Sequence, residues 1–189
     1  MIRAAAPALV ALAASIVAVP PLQANDEIAH VYGWVEKSRI MAMDAEIKAK
    51  LDTGALTSSM HATDIERFER DGDEWVRFEV AVEDERDGSD KRETFERPVY
   101  RNVIIRGAGG EERRPVVLME VCFGSVVHEE QFSLEDRSDM IYPVLIGRRT
   151  IQHLGVIDVT RTFLNGADCD MDSPVEKHEG QEADDDIGA

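Results

Sequence analysis

Apolar residues recur in this chain in short runs with the two-residue period of β-strands, and this feature most limits the folds open to it. Between Trp75 and Val82, apolar and charged side chains alternate, which is typical of a strand with one face in solvent. Similar β-like runs lie at residues 30–35, 45–51, 103–105, 115–123 and 126–134. Only residues 62–70 and 149–154 favour a helix. We therefore predict an all-β fold, a small closed barrel with one or two short helices.

The two ends of the chain differ in composition from its centre. Residues 1–24 start with a single positive charge, continue as an alanine-rich apolar stretch and end in small residues, which is the layout of a secretory signal peptide. A buried N-terminal helix or an uncleaved anchor is the alternative. Residues 166–189 carry nine acidic residues and one lysine, a composition that predicts a disordered acidic tail. We expect an exported protein, periplasmic in a Gram-negative source.

The overall composition excludes several classes of protein. With 21 Lys+Arg against 38 Asp+Glu, the formal net charge is −17, and such a chain repels the phosphates of nucleic acid. Two cysteines are too few for a disulfide scaffold or a thiolate zinc site. Cys122 is expected to be a buried strand residue, although export would permit a disulfide with Cys169. After the N-terminal segment, no apolar run reaches the length of a membrane span.

One short motif carries the candidate chemistry. Asp52, Thr53 and Gly54 directly follow the β-like run at residues 45–51, so a carboxylate and a flexible turn come at the end of a strand. Alone, the motif could be an ordinary turn, in which Asp bends the chain and Gly takes a positive φ. Its context favours catalysis, because an apolar pair, Gly147-Arg148, a short helix and a final β-like run follow in that order.

Three motifs make this chain resemble the retropepsin-like aspartic peptidases, in particular a bacterial branch that carries the label ATP-dependent zinc protease. The motifs are residues 51–62, 114–116 and 136–148, and they occur in the order that the family has. The resemblance covers residues 30–165, and it implies that residues 25–165 form a retropepsin-like peptidase domain.

The ATP and the zinc of that label have no motif in the sequence. There is no glycine-rich phosphate-binding loop ending in Gly-Lys-Ser/Thr, and there is no His-Glu-x-x-His zinc motif. The five histidines are dispersed along the chain rather than paired one helical turn apart. We therefore expect no cofactor and no metal, and a structural role for His61, such as a hydrogen bond to the active-site loop.

The resemblance implies aspartic chemistry at Asp52. In such enzymes two carboxylates share one proton; one carboxylate takes a proton from water while the other donates to the scissile carbonyl oxygen. Because the chain has one Asp-Thr-Gly motif, the second Asp52 is expected from a second copy, in a twofold homodimer that acts on a peptide or protein substrate. Thr53 would hydrogen-bond across the axis, Gly54 would donate its N–H to the carboxylates, and residues 156–163 would pair with the partner copy.

A glycine-tipped hairpin is the expected flap over the substrate. The best candidate comprises Gly107, Ala108, Gly109 and Gly110, and the charged loop at residues 83–91 is the alternative.

Three residues are expected to support the site. Gly147 and Arg148 form the Gly-Arg pair of the family, and Arg148 needs a new acidic partner, because Leu56 stands where viral enzymes have an Asp. Ala55 offers no hydroxyl to the ionised carboxylate, so we expect the dyad to keep its shared proton to a higher pH than in a gastric enzyme. The alternative function is an exported peptide-binding or regulatory module that keeps the fold without efficient turnover.

Overall fold

The computed structural model describes residues 30–107 and 110–177. Within these ranges the regular structure is mostly strands, with one α-helix, which confirms the predicted all-β class. The strands, in chain order, are β1 (Val31–Gly33), β2 (Val35–Ile40), β3 (Ala45–Leu51), β4 (Ser58–His61), β5 (Thr63–Arg70), β6 (Asp73–Glu83), β7 (Asp90–Pro98), β8 (Arg101–Gly107), β9 (Gly110–Phe123), β10 (Val126–Glu135), β11 (Val144–Ile146), β12 (Val156–Asp158) and β13 (Val175–Glu176). The helix predicted at residues 149–154 is present as α1 (Arg148–Leu154).

The sheets are more complex than the predicted closed barrel. Strands β10, β4, β11, β3, β2 and β9 pair in that order, and β9 pairs back with β10, so these six strands form a closed circuit. The circuit is extended by β8 and β13, while β5, β6 and β7 form a separate sheet and β1 pairs with β12 in another. A single buried apolar cluster joins the circuit to the β5–β7 sheet; it includes Phe78, Phe95, Phe123 and Phe132.

The helix predicted at residues 62–70 is wrong, because this segment is strand β5. It pairs with β6 in an antiparallel hairpin, in which Phe68 lies opposite Trp75 and Arg70 stacks over the Trp75 ring. Cross-strand aromatic and charged pairs of this kind stabilise a sheet and override a weak helical pattern. The turn is Asp71-Gly72, with φ of 56° and 91°. Asp-Gly is a strong sequence signal for a two-residue hairpin turn.

The acidic tail does not begin at residue 166 as predicted. Ala167 and Cys169 are buried, Gly124 forms a β-bridge with Ala167, and β13 pairs with β10. Cys122 is a buried strand residue, as predicted, and it forms a disulfide with Cys169, the pairing that was left open. The bridge ties the segment to β9, which explains why it is ordered despite its acidic composition. The rest of the predicted tail and the predicted signal peptide lie outside the described residues.

The predicted final strand at residues 156–163 is shorter than expected and is paired within its own chain. Only β12 is extended, and it pairs in parallel with β1. The chain then turns, and the Phe163 N–H donates to the Val35 carbonyl at 2.8 Å. The buried Glu36 carboxylate fixes this arrangement, since it accepts backbone N–H groups from Gly33 and Leu164.

Candidate active site

Asp52 lies where β3 leaves the central circuit, and neighbouring strands fix the backbone on both sides of it. The Leu51 N–H donates to the Trp34 carbonyl at 2.9 Å, and the Asp52 N–H donates to the Ile146 carbonyl at 2.8 Å. Since β3 lies between β2 and β11, the position of the Asp52 backbone is set by the sheet rather than by a free loop.

The two oxygens of the Asp52 carboxylate have different donors. The Gly54 N–H donates to Oδ1 at 2.9 Å, as the resemblance implied. A Cβ at Gly54 would lie only 3.0 Å from Oδ1, so glycine permits this close approach. The Lys50 ammonium contacts Oδ2 at 2.9 Å.

The Ala55 prediction assumed that the ionised Asp52 carboxylate lacks a side-chain donor. This premise is wrong, because Lys50 provides the donor that Ala55 cannot. The hydrogen bond from Lys50 is the largest cause that lowers the pKa of Asp52 below its usual value; partial burial opposes it, and the Gly54 N–H adds to it. The carboxylate of the single chain is therefore stabilised in its charged form, opposite in direction to the expectation.

The Gly-Arg pair packs directly on the Asp52 loop, residues 52–57, which joins β3 to β4. A Cβ at Gly147 would lie 2.7 Å from the Leu56 carbonyl oxygen, so this position requires glycine for close packing. Arg148 Nη1 donates to the Thr53 carbonyl at 2.7 Å, and the Arg148 N–H donates to the Ala55 carbonyl at 2.9 Å. The acidic partner predicted for Arg148 is thus wrong; the guanidinium holds the backbone of the Asp52 loop instead. Thr53 is exposed, and its predicted bond across a dimer axis stays a prediction.

The predicted flap region follows the paired strands β8 and β9, and the start of this pair lies at the site. Strands β8 and β9 pair as far as Gly107 and Gly110, and Ala108 and Gly109 lie outside the described residues. At the start of β8, Arg101 Nη2 donates to Thr57 Oγ1 at 3.2 Å.

The alternative flap at residues 83–91 lies elsewhere, because Glu85 contacts Glu46 and Lys48, near the start of β3. The role of residues 107–110 as a flap stays a prediction.

A buried chain of hydroxyl groups behind the Gly-Arg pair was missed by sequence reasoning. The Gly147 N–H donates to Ser58 Oγ at 3.0 Å, Ser58 Oγ is 2.8 Å from Thr150 Oγ1, and Thr150 Oγ1 donates to the Glu130 carboxylate at 3.1 Å. Because each hydroxyl has one hydrogen, Ser58 must donate to Thr150. His153 Nδ1 lies 3.0 Å from the other oxygen of Glu130. The sequence spacing of 89 residues between Ser58 and Gly147 gave no local signal of this contact.

We expect Thr150→Val to lower the free energy of unfolding by about 1–3 kcal/mol, the cost of leaving buried hydrogen-bonding groups without a partner. Valine keeps the shape of threonine, so the loss reports the hydroxyl alone. Thr160→Val is the matched control, because Thr160 is exposed, and its hydroxyl donates to Asp158 at a turn. Urea unfolding measures both variants. An equal effect of the two substitutions would rule out a structural role for the buried chain.

His61 lies in a second buried polar cluster beside the site. Its Nδ1 accepts the Arg137 N–H at 3.0 Å, so it has a structural role as predicted, but it bonds the loop between β10 and β11 rather than the active-site loop. Arg137 in turn donates to Ser59 Oγ at 2.7 Å and to the Tyr142 carbonyl at 3.1 Å. The cluster places a buried guanidinium close enough to interact electrostatically with Asp52.

Within residues 30–107 and 110–177, no His, Cys, Asp and Glu side chains gather in a group of three or more that could hold a metal ion. In the same described part of the chain, no helix has the length and apolar character needed to cross a membrane.

Comparison with known proteins identifies curated relatives that are much longer than this chain. A curated protein from Shewanella pealeana, named probable alpha-L-glutamate ligase, is 32% identical over 127 residues, which are 67% of this chain and 27% of the relative. One of the same name from Desulfotalea psychrophila is 36% identical over 115 residues, 59% of this chain and 24% of the relative. The chain thus spans about a quarter of the length of these relatives.

A solved structure and a family model agree with the fold. A Legionella pneumophila protein, described as of unknown function, is 32% identical with a TM-score of 0.60, over 71% of this chain and 96% of that one. The model of the RimB-like family, described as retropepsin-like aspartic endopeptidase RimB, matches residues 31–168. This match includes β1–β12, α1 and the Asp52 loop, and the chain belongs to the RimB-like family of retropepsin-like proteins.

Proposed function

We propose that this chain is an exported aspartic endopeptidase, in which a water molecule is activated between the two Asp52 carboxylates of a homodimer. The observation that carries the proposal is the Asp52 carboxylate itself, fixed at the end of β3, bonded to the Gly54 N–H and 26% exposed. A carboxylate held in this way can take a proton from water, but it cannot at the same time donate one to the scissile carbonyl oxygen. A second copy supplies that donor.

An exposed apolar patch beside Asp52 supports the assembly of two copies. Five exposed apolar side chains come from β1, β12 and the segments that follow them: Val31, Trp34, Val156, Val159 and Phe163. These segments are joined by the β1–β12 pairing and by backbone bonds from Trp34 to Arg161 and from Phe163 to Val35. Exposed apolar patches mark interaction surfaces, and Trp34 of this patch bonds Leu51, directly before Asp52. Two copies that met here about a twofold axis would have their Asp52 loops close together.

The charges around Asp52 support an acidic peptide as the substrate. Although the chain carries a net charge of −17, four basic residues lie in or next to the Asp52 loop: Lys50, Arg101, Arg148 and Arg149. Local positive charge attracts anionic substrates. The name of the curated relatives, probable alpha-L-glutamate ligase, agrees with a substrate that contains glutamate.

The Cys122–Cys169 disulfide supports export, since disulfides persist mainly in oxidising compartments outside the cytosol. The signal-peptide pattern of residues 1–24 is consistent with the same destination.

Hydrolysis of glutamate-rich peptides, with the matching glutamine peptides as controls, tests the proposal. We expect the rate per chain to rise with protein concentration, because the site forms only in the dimer. Phe163→Asp should lower that rate by about tenfold or more, because a carboxylate is costly in an apolar interface. Met171→Asp is the control, since Met171 is fully exposed in the segment after Cys169. The shared site would be contradicted if the protein sediments as a monomer and its hydrolysis rate per chain does not depend on protein concentration.

The Lys50–Asp52 ion pair is the observation that favours the alternative, a peptide-binding module on the same fold without efficient turnover. An Asp52 carboxylate that stays paired with Lys50 in the dimer could not share a proton. Peptide binding without any cleavage, equal in the wild type and Asp52→Asn, would support this alternative.

A further inference from the structure

Lys50 is built into the centre of the sheet that carries the site. It pairs with Val35 of β2 on one side and with Leu145 of β11 on the other, so its backbone cannot move without disturbing three strands. Because side chains alternate along a strand, Lys48, Lys50 and Asp52 point to the same face. Lys48 pairs with Glu85, whereas Lys50 reaches forward to Asp52 Oδ2.

The ammonium of Lys50 occupies the side of the carboxylate that Gly54 leaves open. Gly54 donates to Oδ1, Lys50 donates to Oδ2, and Ala55 has no side-chain donor to offer. In an aspartic dyad the shared proton is held because two like charges close together cannot both ionise. A Lys50 ammonium on each Asp52 carboxylate weakens the repulsion between the two carboxylates, since the site then contains two positive and two negative charges.

We propose that Lys50 sets the charge of the catalytic dyad, holding each Asp52 in its ionised form and confining the proton-sharing state, and with it turnover, to acidic pH. The inference rests on the proposed peptidase function and extends it to the regulation of the same site. As pH falls, a proton from solvent joins one of the two carboxylates and completes the pair that the reaction needs. Lys50 thereby makes the site respond to acidification.

Two other cations lie near the loop that carries Asp52, and both bond other groups. Arg148, at the start of α1, bonds the Thr53 carbonyl at 2.7 Å. Arg137, in the loop between β10 and β11, bonds Ser59 and Tyr142 and lies 3.4 Å from a Glu135 oxygen. Lys50 is the cation in direct contact with the carboxylate, and it is the largest cause that lowers the pKa of Asp52.

Lys50→Met tests the proposal, with Lys48→Met as the matched control on the same face of β3 and Lys50→Arg as the conservative variant. Without Lys50 the dyad keeps its shared proton to higher pH. The ratio of the hydrolysis rate at pH 7 to that at pH 5 should therefore rise by about tenfold, the factor expected for the loss of one partly exposed charge-assisted hydrogen bond. Lys48→Met and Lys50→Arg should keep the wild-type ratio.

Titration of the Asp52 carboxyl carbon by NMR gives a second measurement that does not depend on turnover. In Lys50→Met the carboxyl should titrate at higher pH than in the wild type and in Lys48→Met. Adding Ala55→Ser to Lys50→Met should move the titration back towards acid, because the new hydroxyl is a donor to the carboxylate. Identical titration of Asp52 with and without Lys50 overturns the proposal. A shifted titration in proteins that cleave no peptide supports the role of Lys50 and overturns the peptidase function.

Discussion

Asp52→Asn is expected to lower the rate of peptide hydrolysis by about 10²–10⁴-fold, the usual contribution of a positioned general acid or base. Asparagine has almost the same shape as aspartate, and its carbonyl oxygen can still accept the Gly54 N–H. What it loses is the ability to take a proton from water and to share one with its partner. The measurement is the initial rate on the peptides that the wild type cleaves best, at the pH of its maximum.

Asp64→Asn is the matched control for this substitution. Asp64 is exposed at the start of β5 with a φ of 49°, a conformation that asparagine also tolerates. Asp64→Asn therefore removes the same negative charge and leaves Asp52 unchanged. Mixing equal amounts of wild type and Asp52→Asn adds a test of the shared site. Random pairing leaves only part of the wild-type chains with a complete partner, so the rate per wild-type chain should fall to about half. Full retention of that rate would indicate that one Asp52 is sufficient.

The sequence was most informative where chemistry depends on adjacent residues. The carboxylate of Asp52 and the N–H that contacts it belong to residues two positions apart, so the three-residue motif already contains this geometry. The same holds for α1, whose bounds follow from the local pattern and the glycine after it. Lys50 lies equally close in sequence, and the period of a strand places it on the face of Asp52; this signal was present and was not used.

Contacts between distant residues could not be predicted in the same way. The hydroxyl chain from Gly147 to Glu130 depends on β4, β10 and α1 meeting, and single serines and threonines have no periodicity that predicts a partner. The ordered segment after residue 165 is held by a disulfide to Cys122 and by Arg39, which donates to the Ala167 and Cys169 carbonyls; these partners are distant in sequence, and the acidic composition of the segment does not predict them. The helix predicted at residues 62–70 is wrong for a different reason. The Asp71-Gly72 turn is a hairpin signal, and it is a stronger indication of strand β5 than the weak helical spacing of residues 62–70 is of a helix.

Reduction of the Cys122–Cys169 disulfide is expected to lower the free energy of unfolding by about 2–4 kcal/mol. The bridge joins cysteines 47 residues apart, and closing a loop of that length removes much of the freedom of the unfolded chain. The bridge also holds Ala167 and β13 against β9 and β10, so reduction should expose the segment at residues 166–177 to proteases. Urea unfolding with and without a thiol reductant measures the first effect, and limited proteolysis measures the second.

The variant with both Cys122→Ser and Cys169→Ser separates the bridge from other effects of the reductant. It should unfold at the same urea concentration with and without the thiol, close to that of the reduced wild type. Cys122 pairs with Arg39, which pairs with Glu46 near the start of β3, whereas Asp52 follows the end of that strand. Because the bridge and Asp52 lie at opposite ends of β3, the reduced protein should keep the Asp52 titration of the wild type. Reduction is therefore expected to change stability without changing the charge of the site. A loss of stability below about 1 kcal/mol would show that packing of the segment, rather than the bridge, keeps it in place.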